Sequence, residues 1–309
     1  MRDERRTTGG TTLAVLHTDG APSDAVRARA DDLVDACGAV LVRGLGIDGA
    51  DAFHSAVARF GASLIDSYRG GNTPRATVSD GVFTSTEYPA RYDISLHNEM
   101  SYAHRWPTRL YFCCLDAPDT GGATPVCDGE ALLAALSPRV RDRFASGVVY
   151  HQHLHGGFGL GKSWQATFET DDRTVVEEFL TASEADHEWT GDGGLRVRQH
   201  RPGLRKNPRT GRDTWFNQAD QWHPSNLPAD DAETLLSLVD SHADLPHWVT
   251  YADGEPLTDE DLAEVRAAHR AHRHAEPWQE GDLLIVDNMS VLHGRQAFTG
   301  TRKVVVSMT

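Results

Sequence analysis

The feature that most limits how this chain can fold is His97-Asn98-Glu99, paired with His293 far downstream. His293 lies inside Val286-Asp287-Asn288-Met289-Ser290-Val291-Leu292-His293-Gly294-Arg295. Two imidazoles and one carboxylate are the ligand set that holds Fe(II) on one face of an octahedron and leaves the other positions open. In a strand, residues i and i+2 project to the same side. Ser95 through Tyr102, read as a half-buried strand, therefore turns His97 and Glu99 toward one metal while Asn98 points away. His293 follows Glu99 by 194 positions, so the fold must return a late strand beside an early one. A closed β-barrel or jelly roll does this, with the site in its mouth. A lone His-x-Glu triplet is weak, because 16 His and 45 acidic residues yield several by chance. The downstream segment adds weight, since His293 closes a turn-then-strand run that starts at Gly281. Open coordination positions suit a co-substrate and O₂, so the chemistry implied is oxidative.

The rest of the chain reads as strands interrupted by helices. Asp24 to Cys37 has helical spacing (Val26, Ala30, Leu33, Val34, Cys37) and stops at Gly38. Ala39 to Val42 follows as a short buried strand, and Ala50 to Phe60 as a second helix. Leu110 to Leu115, Val148 to His153, Leu283 to Asp287 and Val304 to Met308 read as strands, and Gly121-Gly122 as a turn before a strand Ala123 to Val126. Leu195 to Val197 and Thr214 to Phe216 are strand candidates that bracket an Arg- and Pro-containing hairpin or loop. Asp128 to Leu136, Pro138 to Phe144, Thr174 to Thr181, Ala229 to Ser241 and Thr258 to Ala271 read as helices. There is no repeat and no linker. The expectation is one domain over 1–309, with a partly helical insertion around 128–275 that covers the active-site mouth.

With 309 residues and 39% hydrophobic content the chain can bury a large core. The net charge of −15 argues against nucleic acid as a partner, since phosphate neutralisation needs a basic surface. The N-terminus has no apolar signal region, and no stretch reaches the roughly 18 apolar residues of a membrane span. A cytoplasmic location is expected, away from membranes. Cys37, Cys113, Cys114 and Cys127 read as small buried apolar residues in a reducing compartment, and the absence of a Cys-x-x-Cys pair argues against structural zinc.

Several stretches together resemble the TauD/TfdA superfamily of Fe(II)- and 2-oxoglutarate-dependent dioxygenases. Within it they are most similar to the SyrP-like branch of amino-acid hydroxylases in natural-product biosynthesis. They are Ser85-Thr86-Glu87-Tyr88-Pro89, Leu96 to Tyr102, Gly121 to Pro125, Trp215-Phe216-Asn217-Gln218, and Gly281 through Arg302. The resemblance implies a mainly β fold with helical insertions around a double-stranded β-helix (jelly roll) core. It also implies iron held by His97, Glu99 and His293, with 2-oxoglutarate chelating the metal. Arg302, nine residues after His293, then binds the distal carboxylate of 2-oxoglutarate with help from Thr124. Its planar fork suits a carboxylate. Glu87, Arg295 and Asn217 sit in matching motifs as candidate substrate contacts. Related halogenases lack the carboxylate ligand, so Glu99 favours hydroxylation of a small amino-acid-like substrate. Desaturation, epoxidation or cyclisation by the same chemistry remains an alternative. So does a catalytically silent jelly-roll binding protein, against which the intact His97, Glu99, His293 and Arg302 argue.

Three other features compete for a functional reading. His151, His153 and His155 could share one strand face, but no carboxylate or Cys accompanies them, so pocket lining or partial exposure is favoured over a second metal site. His269, His272 and His274 sit at a helix C-terminus, where a cationic tendency is stabilising. Arg196 through Arg212 is a dense basic stretch in an acidic chain. Such a run is usually a solvated loop, but it could bind a substrate carboxylate or dock an acidic carrier protein.

Overall fold

The computed structural model describes residues 1–60, 64, 70, 77–79, 81–85 and 88–309. Its largest sheet runs in the order Arg2–Thr8, Thr11–His17, Ala39–Arg43, Leu283–Asp287, Arg109–Asp116, Lys303–Met308, Val82–Thr84, Thr77–Ser79. Alternation explains its two faces. In Leu283–Asp287, the side chains of Leu283 and Ile285 join one apolar cluster, while Leu284 and Val286 join another. Tyr111 and Cys113 separate from Leu110, Phe112 and Cys114 in the same way. A strand buried on both faces reads as a continuous apolar run, and these strands have that composition.

The helices Asp24–Cys37 and Ala50–Arg59 cover one face through Ala30, Leu33, Phe53 and Val57. Ser23 caps the first helix by accepting from the Val26 N–H, and the helix ends at Gly38 as its spacing predicts. This helix joins Thr11–His17 to Ala39–Arg43, which pair in parallel with Ala14 opposite Val40. The other face meets a smaller sheet of Ile94–His97, Val291–Arg295 and Val126–Asp128, whose Val126 and Val291 share a core with Leu284, Val286 and Val304. These two facing sheets form the expected jelly-roll core.

The 128–275 stretch adds a four-stranded sheet, ordered Asp186–Trp189, Leu195–Arg201, Val148–Leu154, His247–Tyr251, and several helices. Leu96 and Leu292 of the small sheet pack in one cluster with Phe144, Tyr150, Trp222 and Leu262 from this stretch. All four cysteines are buried free thiols, as expected. No helix among the described residues is long and apolar enough to cross a membrane.

Two local expectations are corrected, and one hairpin had no sequence signal. The strand before Glu99 ends at His97, and Glu99 lies in a turn, so the i, i+2 argument does not apply. Ala123 to Pro125 is not strand; the strand there is Val126–Asp128, and Thr120–Gly121 pairs with Phe298–Thr299. The hairpin Arg2–Thr8/Thr11–His17 was not expected at all. Its outer strand is largely exposed and highly charged, a composition that hides a strand yet guards a sheet edge against further pairing.

Candidate metal centre

The small sheet brings the two histidines together. Val291–Arg295 is its central strand, and His293 stands directly opposite His97 in antiparallel register. The chain slips between His293 and Arg295. Gly294 lies where an added Cβ would meet the Ile94 carbonyl oxygen at 2.5 Å, so only glycine lets the two strands approach this closely. The imidazole rings of His97 and His293 are 4.4 Å apart, and the Phe112 ring from the large sheet lies 5.1 Å from that of His293.

Glu99 is set by a device that sequence spacing did not reveal. Asn288, fully buried in the turn between Leu283–Asp287 and Val291–Arg295, accepts from the Glu99 N–H at 2.8 Å. Its amide nitrogen donates to the Glu99 carbonyl at 3.0 Å and the Pro107 carbonyl at 2.8 Å. In return, the Asn98 side chain donates to the Asn288 carbonyl at 2.8 Å. One asparagine thus fixes the backbone of Glu99 from a segment that also leads into His293. Met100, just after, adopts φ 54°, a left-handed conformation uncommon for a side-chain-bearing residue. Asn98 adjoins two candidate ligands in the sequence, but Asn288 lies five positions before His293 and carries no local signal of the clamp.

Glu99 Oε2 lies 3.7 Å from Nε2 of both His97 and His293. One ligand atom from each of the three residues falls within 4.8 Å of the others, and all three side chains are buried. It is the one group of His, Cys, Asp and Glu among the described residues with metal-holding spacing. Nδ1 of His97 is 2.9 Å from the Ser95 carbonyl oxygen. A carbonyl only accepts, so the proton belongs on Nδ1 and the Nε2 lone pair is left facing Glu99. Two nitrogens and a carboxylate oxygen grouped within this distance of one another can share one ion. The donor set and spacing therefore fit Fe(II).

The same cavity ends at an arginine. His97, His293, Phe112, Thr124, Ser85, Arg295 and Arg302 line it. Arg302 donates from Nε to the Gly122 carbonyl at 2.8 Å, from Nη1 to Ser85 Oγ at 3.3 Å, and from Nη2 to Thr124 Oγ1 at 3.4 Å. Gly122 has φ +68°, and a Cβ there would press on the Arg302 Cδ at 3.1 Å and on Pro118 at 2.6 Å. No carboxylate pairs with Arg302 among the described residues. Burial, with Arg295 nearby, lowers its pKa to about 10. A buried guanidinium without a counter-ion is costly, and a carboxylate reaching this end of the cavity would offset that cost.

The candidate substrate residues separate. Glu87 lies outside the described residues. Arg295 lines the cavity, but its guanidinium donates to the carbonyls of Tyr88, Pro89 and Tyr92 at 2.7–2.9 Å. Asn217 is buried with its amide engaged by backbone at both ends, donating to Gly203 O at 2.9 Å and accepting from Ala219 N at 3.0 Å. The histidine cluster disperses: His151 stacks on Trp248 with ring centroids 4.4 Å apart, and the His155 ring accepts from the Gly157 N–H. The basic stretch is mostly committed internally. Arg201 binds the carbonyls of Tyr102, Ser183 and His200, Arg205 lies 3.9 Å over the Trp106 ring, and Arg196, Lys206 and Arg212 pair with Asp244, Asp213 and Glu130.

Comparison with known proteins agrees with this geometry. The family model for taurine catabolism dioxygenase TauD, TfdA family, matches residues 8–309. The dapdiamide synthesis protein DdaC of Enterobacter agglomerans is 34% identical over 90% of this chain and 84% of its own length. A clavaminate synthase-like protein of Arabidopsis thaliana is 30% identical over 90% of this chain and 83% of its own. Among solved structures, PvcB, an Fe, alpha-ketoglutarate dependent oxygenase from an isonitrile synthetic pathway, superposes with TM-score 0.54 at 16% identity. It covers 99% of this chain and 90% of its own. The chain belongs to the TauD/TfdA family and is an Fe(II)- and 2-oxoglutarate-dependent dioxygenase.

Proposed function

We propose that the enzyme hydroxylates an amino acid or amino-acid-derived small molecule in a natural-product pathway, with His97, Glu99 and His293 as its iron ligands. The observation that carries this reading is the buried triad in a cavity that ends at Arg302, which has no carboxylate partner among the described residues. Bound iron with 2-oxoglutarate and O₂ supplies the oxidising power for an unactivated C–H bond. Within the protein, the Ser95 carbonyl accepts from the His97 Nδ1 and orients the ring, Asn288 holds Glu99, and Arg302 with Thr124 and Ser85 receives the far carboxylate of 2-oxoglutarate. Phe112 and Ile94 keep the cavity walls apolar, which limits water near the reacting atoms.

Three finer readings go with this. The chain acts as one oxygenase unit over 1–309, with the 128–275 insertion over the active-site mouth. In support, Phe168, Phe179 and Leu180 of the insertion wall a cavity of about 390 Å³ with Met100 and Trp106, just beyond Glu99. Four buried free thiols suit a reducing cytoplasm. A free small-molecule substrate is favoured over one tethered to an acidic carrier, because the basic stretch meant to meet a carrier is largely paired internally.

The test is succinate release with Fe(II), 2-oxoglutarate, O₂ and chloride, over a panel of free and carrier-loaded amino acids, with products weighed by mass spectrometry. A product heavier by one oxygen supports the proposal. Loss of two hydrogens establishes the desaturase or cyclase alternative, and a chlorine isotope pattern overturns the role given to Glu99.

A further inference from the structure

A second cavity, of about 410 Å³, shares only Ile94 and Arg295 with the iron cavity. Arg266, Arg270, Arg273 and Arg295 line it, beside His269. The acidic residues lining it are Asp93 and Asp220, so it carries an excess of positive charge in a chain whose net charge is −15.

The charges are not equally occupied. Asp220 takes the Nε of Arg266 at 2.7 Å. Asp93 lies 3.7 Å from Arg273, and both side chains are substantially exposed. Arg270 has no hydrogen bond or ion pair among the described residues. His269 is 6% exposed, and its Nε2 has no hydrogen-bond partner. Sequence position suggested a cationic histidine at a helix end, but burial and the neighbouring arginines hold this ring neutral, with its pKa near 3. His269 lines the cavity, and a neutral imidazole keeps one of its ring nitrogens as a donor. An orphaned buried donor beside guanidinium groups short of acceptors is the complement of an oxyanion. The helix dipole accounts for basic residues at the C-terminus of Asp259–His272, but not for the unpartnered His269 nitrogen.

We propose that this cavity is a second anion-binding site, separate from the 2-oxoglutarate cavity, which takes a carboxylate or phosphate group of a small molecule between Arg270, Arg273 and His269. The full chain, first saturated anaerobically with Fe(II) and 2-oxoglutarate so that Arg302 is occupied, is titrated calorimetrically with sodium phosphate and separately with sodium acetate at constant ionic strength. Saturable binding is expected, weakened at least tenfold in Arg270→Gln/Arg273→Gln, with the 2-oxoglutarate midpoint unchanged. Tighter phosphate assigns the site to a phosphorylated ligand, and tighter acetate to a carboxylate. Arg270→Lys/Arg273→Lys keeps the charge and is expected to bind better than the Gln pair. No saturable binding by either anion, equal affinity in the Gln pair, or Lys variants no better than Gln would overturn the proposal.

Discussion

Replacing Asn288 by Ala tests whether Glu99, the proposed carboxylate ligand, is held from a distance in sequence. The substitution removes three side-chain hydrogen bonds, one from the Glu99 N–H and two to the carbonyls of Glu99 and Pro107. All lie in a fully buried setting. Each such bond contributes a net ~0.5–1.5 kcal/mol, and each buried group left without a partner costs ~1–3 kcal/mol. Some relaxation and entry of water offset the larger figure, so the expected destabilisation is about 3–5 kcal/mol. Against a total stability of roughly 5–15 kcal/mol a folded population is expected to remain, with a melting temperature lower by roughly 5–8 °C. The functional consequence is separate. Partners that orient a metal ligand are worth roughly 10–100-fold in metal affinity, and that is the expected rise in the Fe(II) dissociation constant. Asn288→Asp sharpens the experiment: it keeps an acceptor for the Glu99 N–H but sets lone pairs against two carbonyl oxygens, so it rescues neither quantity. Denaturant unfolding gives the stability, and anaerobic iron titration gives the affinity. A variant that loses less than about 1 kcal/mol and binds Fe(II) as the wild type does refutes the clamp.

Other outcomes follow from the same geometry. Arg302→Ala should raise the 2-oxoglutarate requirement far more than it weakens iron binding, and Arg302→Lys should rescue only partly, because an ammonium cannot reproduce the fork; co-substrate titrations read both. Stability should fall on acidification below about pH 6.5. Burial lowers the pKa of His151 and His247 to about 4 and that of His269 to about 3, so the unfolded chain takes up protons that the folded chain refuses. Their stabilising contribution is complete above the unfolded value and is lost as pH falls toward the folded values, with a slope of up to about 1.4 kcal/mol per pH unit for each histidine. His269→Gln should flatten that slope by about one proton in denaturant melts taken from pH 7 to 4. Gly122→Ala, which strains a positive φ and crowds Arg302, should weaken 2-oxoglutarate at least several-fold while leaving Fe(II) affinity within twofold.

The helices and two-sided strands were legible because each carries its own periodicity. Asp24–Cys37 matched to the residue, and Leu283–Asp287 was plain from its apolar run. The triad was legible as a residue set, but not for the reason first supplied. Its carboxylate comes from a turn, positioned by a side chain 189 residues away, and no local pattern encodes a contact at that range. Arg2–Thr8 was hidden because an exposed edge strand needs no apolar alternation. Asn217 and Arg295 were drawn from motif position alone, and the structure shows their polar atoms bound largely to backbone. The charge of Arg196 through Arg212 looked free in sequence because its partners, among them Glu130 and Asp244, lie outside that stretch.

The central assignment is tested most directly by anaerobic titration of the metal-free protein with Fe(II) and then 2-oxoglutarate, following the visible charge-transfer band of the chelate. One iron per chain is expected, with a band that requires both components, loss of iron binding in His97→Ala, Glu99→Ala and His293→Ala, and a displaced co-substrate midpoint in Arg302→Ala. A band of normal intensity and midpoint in any of the three ligand variants would contradict the assignment.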